Sequence, residues 1–358
     1  LTLVPACIFG HIKVGNLSIY PLPRGISKDI FFIDNLLINQ ERIPLDDQSP
    51  GRITFNGPSL MSNLTVTRQQ TLFWPPVSLK RAQWKGMSEN VVYIHPLSSF
   101  YASIKGSDLH HYLFQWAFII GNYQYFPFYI AVGQHNASFG FYYTRGIEKP
   151  LTTQLGYMPD KANASIGWKV DWNQVCDFKV LSSFFQDEVS VGIQYHFHQV
   201  NWFMKMGLSY ATDIVNGSWE RKDDKKAHFI DAYFMFNRSP LQFVLEGITT
   251  LRSCQQHKMT QLSGMKRPLA LHSELSYRRR ICHQPITFAV SWGYGAGYMH
   301  GTHFEGMNLQ THPLTQFCGA IKMPIKTPYI QLSMGFKKNH SVNKIRNSVS
   351  VQIEAVSC

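Results

Sequence analysis

From about residue 160 onward the chain repeats one arrangement, with bulky apolar side chains at every second position and small or polar ones between them. A period of two belongs to an extended strand, so this feature fixes the local conformation before any fold is considered. Ala164, Ile166, Trp168, Val170 and Trp172 share one face, and Ser165, Gly167, Lys169 and Asp171 share the other. Val191, Ile193, Tyr195 and Phe197 likewise oppose Gly192, Gln194, His196 and His198. The split returns at Leu241, Phe243 and Leu245, and at Leu269, Leu271, Leu275 and Tyr277 against His272, Glu274 and Ser276. It returns again at Ile286, Phe288, Val290, Trp292 and Tyr294 against Thr287, Ala289, Ser291 and Gly293, and in residues 329–336 and 348–356. Connections such as 216–226, 237–240 and 278–285 carry Asn, Gly, Pro and charge, which is the layout of an antiparallel up-and-down meander.

Alternation does not say which face looks inward. In a soluble β-sandwich the bulky face forms the core; in a membrane barrel it meets lipid and the polar face encloses water. Aromatic residues near strand ends (Trp168, Trp172, Trp202, Tyr210, Tyr277, Trp292, Tyr294) suit interfacial girdles. No run approaches the roughly 18–20 apolar residues of a membrane helix, whereas a spanning strand needs only about 9–11 alternating ones. The expected fold is therefore all-β: a single antiparallel up-and-down transmembrane β-barrel of about 14–16 strands over residues 51–358. A soluble secreted β-sandwich binding protein stays open as the alternative.

The N-terminal part reads differently. Residues 1–50 carry Pro21, Pro23, Pro44 and Pro50 without sustained alternation, so an irregular or periplasmic segment is expected, with residues 1–10 as a remnant of a secretion signal. Short strands begin around 52–57 and 63–69, and residues 96–114 read as a helical turn or an extracellular loop that includes His110 and His111. Asn16, Asn63, Asn136, Asn163, Asn216, Asn237 and Asn339 each open an Asn-x-Ser/Thr triplet and are read as turn residues.

Charge bounds the partners. Lys and Arg number 34 against 22 Asp and Glu, a formal +12, which favours anionic partners such as lipopolysaccharide, acidic headgroups or polycarboxylate solutes. The basic residues are dispersed rather than interleaved with aromatics, so nucleic acid is not expected. Six scattered cysteines form no C-x-x-C pair, so no structural zinc site and no other cofactor is expected. No nucleophile elbow, phosphate-binding loop, metalloprotease motif or dinucleotide fingerprint is present, and Asp187 and Glu188, as strand neighbours, point to opposite faces. The expectation is a non-enzyme.

Candidate ligand contacts follow from the polar faces. Lys169, His196, His198 and Lys205 would line a lumen, and Arg278, Arg279 and Arg280 would draw anions to a pore mouth or grip lipopolysaccharide phosphates, unless they form an ordinary solvated turn. His196 and His198 form an H-x-H, but without a third ligand at readable spacing it is read as lumen polarity rather than metal binding.

Between Phe118 and Trp168 the chain carries Gly121-Asn122, Pro127-Phe128-Tyr129, Gly133, Phe139-Gly140 and Pro150-Leu151-Thr152, then the alternating strand from Ala164. This succession resembles the legiobactin-receptor type (LbtU-like) of siderophore porins, outer-membrane barrels of Gram-negative bacteria. The resemblance implies a roughly 16-stranded barrel passing ferric siderophore, or a similar small anionic solute, through a porin-like path for iron uptake. A generic porin or surface barrel is the alternative. On this reading Gly133 and Gly140 permit strand bending, Pro150 starts a turn between strands, and the aromatics of the stretch face lipid or its interface.

Overall fold

The computed structural model describes residues 12–14, 17–21, 59–74, 78–95, 97–107, 110–121, 128–135, 139–141, 150–152, 162–171, 176–185, 188–199, 201–212, 228–251, 269–281, 284–296, 303–304, 307–308, 314–326, 330–341 and 344–357. Among them the chain forms twenty strands. They are β1 (Ile12–Val14), β2 (Leu17–Pro21), β3 (Ser59–Trp74), β4 (Ser78–His95), β5 (Ser98–Ser107), β6 (His110–Gly121), β7 (Phe128–Gln134), β8 (Ala162–Asp171), β9 (Cys176–Phe185) and β10 (Glu188–Gln199). There follow β11 (Trp202–Thr212), β12 (His228–Arg238), β13 (Leu241–Thr250), β14 (Leu269–Ile281), β15 (Gln284–Ala296), β16 (His303–Phe304), β17 (Met307–Asn308), β18 (Leu314–Lys326), β19 (Ile330–Ser341) and β20 (Lys344–Ser357). No described helix is long and apolar enough to cross a membrane.

From β3 onward each long strand pairs antiparallel with the next, and β18 follows β15 across the small β16–β17 hairpin. The last strand, β20, pairs with β3 from Asn347↔Trp74 to Ser357↔Leu64, so the ladder returns to its first long strand. Backbone donors and acceptors thus find partners around the circuit, as hydrocarbon surroundings demand. β1 and β2 form a hairpin, and β2 runs parallel to β3 at Ser59–Ser62, just past the residues that β20 occupies. This hairpin lies inside the segment expected to be irregular, most of which is outside the described residues.

The bulky faces look outward. On β13, Leu245 is 47% exposed and Glu246 beside it 1%. Trp168, Val191, Ile193, Leu275, Val290, Trp292, Phe317 and Met334 are exposed, while Ser165, Ser190, Gln194, His196, His272, Glu274, Gln316 and Ser333 are buried. A soluble sandwich would show the reverse, so this is a transmembrane barrel whose polar faces enclose the lumen. The outer face ends in aromatic clusters: Phe197 stacks on Trp202 at 4.7 Å, and Trp292 lies 6.3 Å from Tyr294.

Several expectations are corrected. Residues 98–107 and 110–121 are strands β5 and β6 rather than a helical turn or loop, and His110 and His111 belong to β6. The register slips by one residue at Phe114 of β6, between the pairs Ser103↔Gln115 and Ile104↔Leu113, which breaks the period of β6 for a sequence reading. Asn63, Asn163, Asn237 and Asn339 lie within strands rather than turns, and Asn339 is buried on the lumen face. Residues 52–57 lie outside the described residues.

The two ends differ. Connections at one end are short: 96–97, 122–127, 172–175, 200–201, 239–240, 282–283 and 327–329. The other end carries the long ones, 135–161, 213–227, 251–268 and 297–313. In outer-membrane barrels short turns face the periplasm and long loops the exterior, which orients the chain.

Candidate functional site

The lumen is built around a set of strand positions in one register. Gln194 pairs with Gly207, Gly207 with Tyr233, Tyr233 with Glu246, Glu246 with His272, His272 with Gly293, Gly293 with Gln316, and Gln316 with Asn339. Because every second residue points inward, these side chains project together into the barrel. Gly207 leaves a gap that the Tyr233 ring occupies: a Cβ at position 207 would collide with the ring and its hydroxyl. Tyr233 thereby crosses β11, and its hydroxyl accepts a hydrogen bond from Gln194 Nε2 at 2.5 Å.

Onto this platform the long β7–β8 connection folds inward. The Gly140 N–H donates to Ser209 Oγ at 2.9 Å, and Ser209 Oγ in turn donates to Asp231 Oδ2 at 3.3 Å. Gly140 has φ +79°, a left-handed conformation that suits glycine, and it lets successive amides turn toward the wall. The next amide, Phe141 N–H, donates to Glu246 Oε1 at 2.6 Å, while Thr152 Oγ1 donates to Glu246 Oε2. One carboxylate therefore holds both arms of the connection. The Phe141 ring stacks on Tyr233 at 4.6 Å with an 11° interplanar angle, and Lys205 Nζ lies 5.2 Å from the Phe141 centroid. Leu151 is buried against Gly293, where a Cβ would stand 3.0 Å from Leu151 Cβ.

Phe139, Phe141, Pro150, Leu151 and Thr152 are all buried, as is Tyr129 on the inner face of β7. Tyr129, Phe139 and Phe141 thus do not face lipid, whereas Phe118, Phe128 and Trp168 of the same stretch are exposed on the outer face as expected; Pro150 belongs to a lumen insert rather than to a turn between strands. The cause is long-range: carboxylate, hydroxyl and ring partners on β11–β13 capture a segment that local pattern assigns to the exterior. Of the other motif positions, Gly121 ends β6 with its N–H donating to Leu97 O at 2.8 Å, and Gly133 is buried on β7 where a Cβ would meet Trp116 O. Asn122 and Pro127 lie outside the described residues.

His196 and Lys205, the candidates on β10 and β11, are buried lumen residues directly paired across the two strands. The backbones of Lys169 and His198 are in β8 and β10, but their side chains lie outside the description. Arg278, Arg279 and Arg280 sit at the end of β14 beside the 282–283 connection, on the rim with short turns. Strand alternation divides them: Arg278 and Arg280 continue the inward positions Glu274 and Ser276, and Arg279 continues the outward ones.

Sequence reading missed Glu246, Asp231, Tyr233, Lys337 and Arg346. The available signal was their place on the polar face of a strand, Glu246 five residues after Leu241, but nothing local marks a carboxylate that will anchor a distant amide. Lys337 and Arg346 reveal a further feature. On the inner face of β18–β20 and β3 the charged side chains described are Lys322, Lys337 and Arg346, all basic. Arg346 lies near the long-loop end of β20, with its guanidinium 4.4 Å from the Phe73 centroid. Lys337 lies deeper on β19 and Lys322 toward the short-turn end of β18. Lys322 pairs with Thr287, which pairs with Arg278, so the basic positions descend along one wall from one mouth to the other. Asp231, Glu246 and Glu274 lie on β12–β14, where two of them hold the insert.

No protein-family model matches the sequence. A curated relative, the UPF0422 protein of Coxiella burnetii, is 23% identical over 254 residues, covering 65% of this chain and 52% of that protein; the chain spans about half of that relative's length. The fold is similar to that of in-vitro folded OmpT, an outer membrane protein of Vibrio cholerae, in its trimer form, with a TM-score of 0.56 and 5% identity over 84% of this chain and 100% of that one. It is also similar to OpdK of Pseudomonas aeruginosa, solved with vanillate, with a TM-score of 0.51 and 7% identity over 83% of this chain and 98% of that one. At such identities the likeness is one of fold. The chain has the fold of the outer-membrane β-barrels, and its apolar belt is that of a bacterial outer-membrane protein.

Proposed function

We propose that the chain is a porin-like channel that passes small anionic solutes across the outer membrane. The observation that carries this reading is the basic wall: Arg346, Lys337, Lys322 and Arg278 follow one another along the inner face from the long-loop mouth to the short-turn mouth. A row of like charges in a narrow, partly desolvated corridor raises the local concentration of counter-ions and gives an anion successive sites to move between. The insert at Gly140, Phe141 and Thr152 narrows the lumen beside that wall, so solutes must approach the cations closely. Nothing in this task needs a nucleophile or an acid/base pair, and transport without covalent chemistry is the reading's content.

The test is ion selectivity. Purified protein in planar bilayers under a KCl gradient is expected to show a reversal potential favouring chloride, and the Lys322→Gln, Lys337→Gln, Arg346→Gln variant is expected to move it toward cation preference. A folded triple variant with unchanged reversal potential would reject the basic wall as the selective element. The narrower reading, ferric siderophore as the solute, is supported by the motif resemblance, whose residues build the insert. It predicts that deleting the gene lowers uptake of iron-loaded siderophore under iron restriction; unchanged uptake leaves a channel for other small anions.

A further inference from the structure

The division of the arginine triplet points to a second anionic partner, separate from the solute path. Arg279 is exposed at an outward position of β14, and Arg238 is exposed at an outward position that ends β12. Both stand on the short-turn rim. Directly beneath them the outer face is apolar and exposed: Leu241 and Phe243 on β13, Leu275 on β14 and Phe288 on β15. Register places the pair one strand apart on either side of β13, since Arg238 faces Leu241 and Leu241 faces Tyr277, two residues before Arg279. With neighbouring strands about 4.8 Å apart, two arginine stems reach a common point above β13. Aromatic rings flank the same rim, with Trp202 5.8 Å from Phe236.

We infer that Arg238 and Arg279 bind the phosphate headgroup of an anionic phospholipid in the periplasm-facing leaflet. Its acyl chains would lie on Leu241, Phe243, Leu275 and Phe288. The geometry asks for an amphiphile, not a free anion: two guanidinium forks, suited to phosphate oxygens, sit at the top edge of an apolar surface. The phosphates of lipopolysaccharide have the same chemistry but belong to the leaflet at the long-loop end, and the site commits to phospholipid. Arg278 and Arg280, at inward positions on the same stretch, serve the pore mouth instead. The inference rests on the barrel's orientation and not on which solute the lumen passes.

The experiment uses the whole chain, refolded in phosphatidylcholine bicelles mixed with phosphatidylglycerol, with lipid A or with both, and analysed by native mass spectrometry after mild detergent exchange. Retention of phosphatidylglycerol over phosphatidylcholine is expected. Arg238→Gln with Arg279→Gln is expected to lower that preference about thirtyfold, two basic side chains at the usual worth of one near an anionic surface. Arg278→Gln with Arg280→Gln should leave the preference intact and shift the reversal potential of the channel. Equal loss of lipid in both pairs, no preference in the native protein, or stronger retention of lipid A than of phosphatidylglycerol through Arg238 and Arg279 would each overturn the assignment. Heat-modifiable gel migration shows that each variant is folded, so loss of lipid is not loss of the barrel. An altered lipid preference with unchanged ion selectivity separates this site from the channel reading.

Discussion

Replacing Glu246 by Ala tests the arrangement of the lumen most directly. Its carboxylate accepts from Phe141 N at 2.6 Å and from Thr152 Oγ1, residues on the two arms of one inserted connection. A hydrogen bond to a carboxylate contributes about 1.5–3 kcal/mol, so both together hold the insert by about 3–6 kcal/mol. What remains in the variant is the Gly140–Ser209 hydrogen bond, the packing of Leu151 and the Phe141–Tyr233 stack, the last worth about 0.5–1.5 kcal/mol. Taking the lower bound, loss of about 3 kcal/mol moves the balance between pinned and released insert by about two orders of magnitude. The barrel wall keeps all its strand pairings, so the protein should still fold. Single-channel recordings are expected to show a larger and noisier conductance for Glu246→Ala. Thr152→Val, which removes one of the two bonds, should fall between it and the native channel. Glu246→Gln keeps one neutral acceptor and should also be intermediate. If folded Glu246→Ala conducts like the native protein with equal noise, the insert is not held by this carboxylate and the reasoning fails.

Other outcomes follow from the same contacts. Gly207→Val puts a branched side chain where the Tyr233 ring lies, so the ring and the Phe141 stacked on it must move; conductance should change while Gln194→Ala, which loses only the 2.5 Å bond to the Tyr233 hydroxyl, has a smaller effect. Leu245→Arg places a cation on the lipid face and should destabilise the barrel by up to about 2–4 kcal/mol, depending on its depth, in urea titrations from lipid vesicles. Gln242→Arg, on the lumen face of the same strand, should cost far less; an equal cost would contradict the inside–outside assignment.

The alternation of residues determined most of the barrel wall in advance. Leu241, Phe243 and Leu245 on one side, with Gln242 and Glu246 on the other, are assigned to faces by the pleat of a single strand, and a pleat is a local property. The same logic placed His196 and Lys205 on the polar face, whereas the division of Arg279 from Arg278 and Arg280 came only with the extent of β14. Where a bulge breaks the alternation, as at Phe114 of β6, that local rule stops working, and in β5 the large Tyr101 points inward while the small Ala102 takes an outward position, so neither strand was legible.

The sequence by itself therefore dictated extended strands with one bulky and one polar face. Only the tertiary structure decided that the bulky face turns outward, because closing the ladder from β20 to β3 is a contact between opposite ends of the chain. It also decided where Phe141 goes. Its aromatic ring suits lipid as well as Tyr233, and the choice is made by an acceptor at Glu246, separated from it by 105 residues. Hydrogen-bond satisfaction in a closed lumen depends on which groups the fold brings together, and no window of neighbouring residues contains that information.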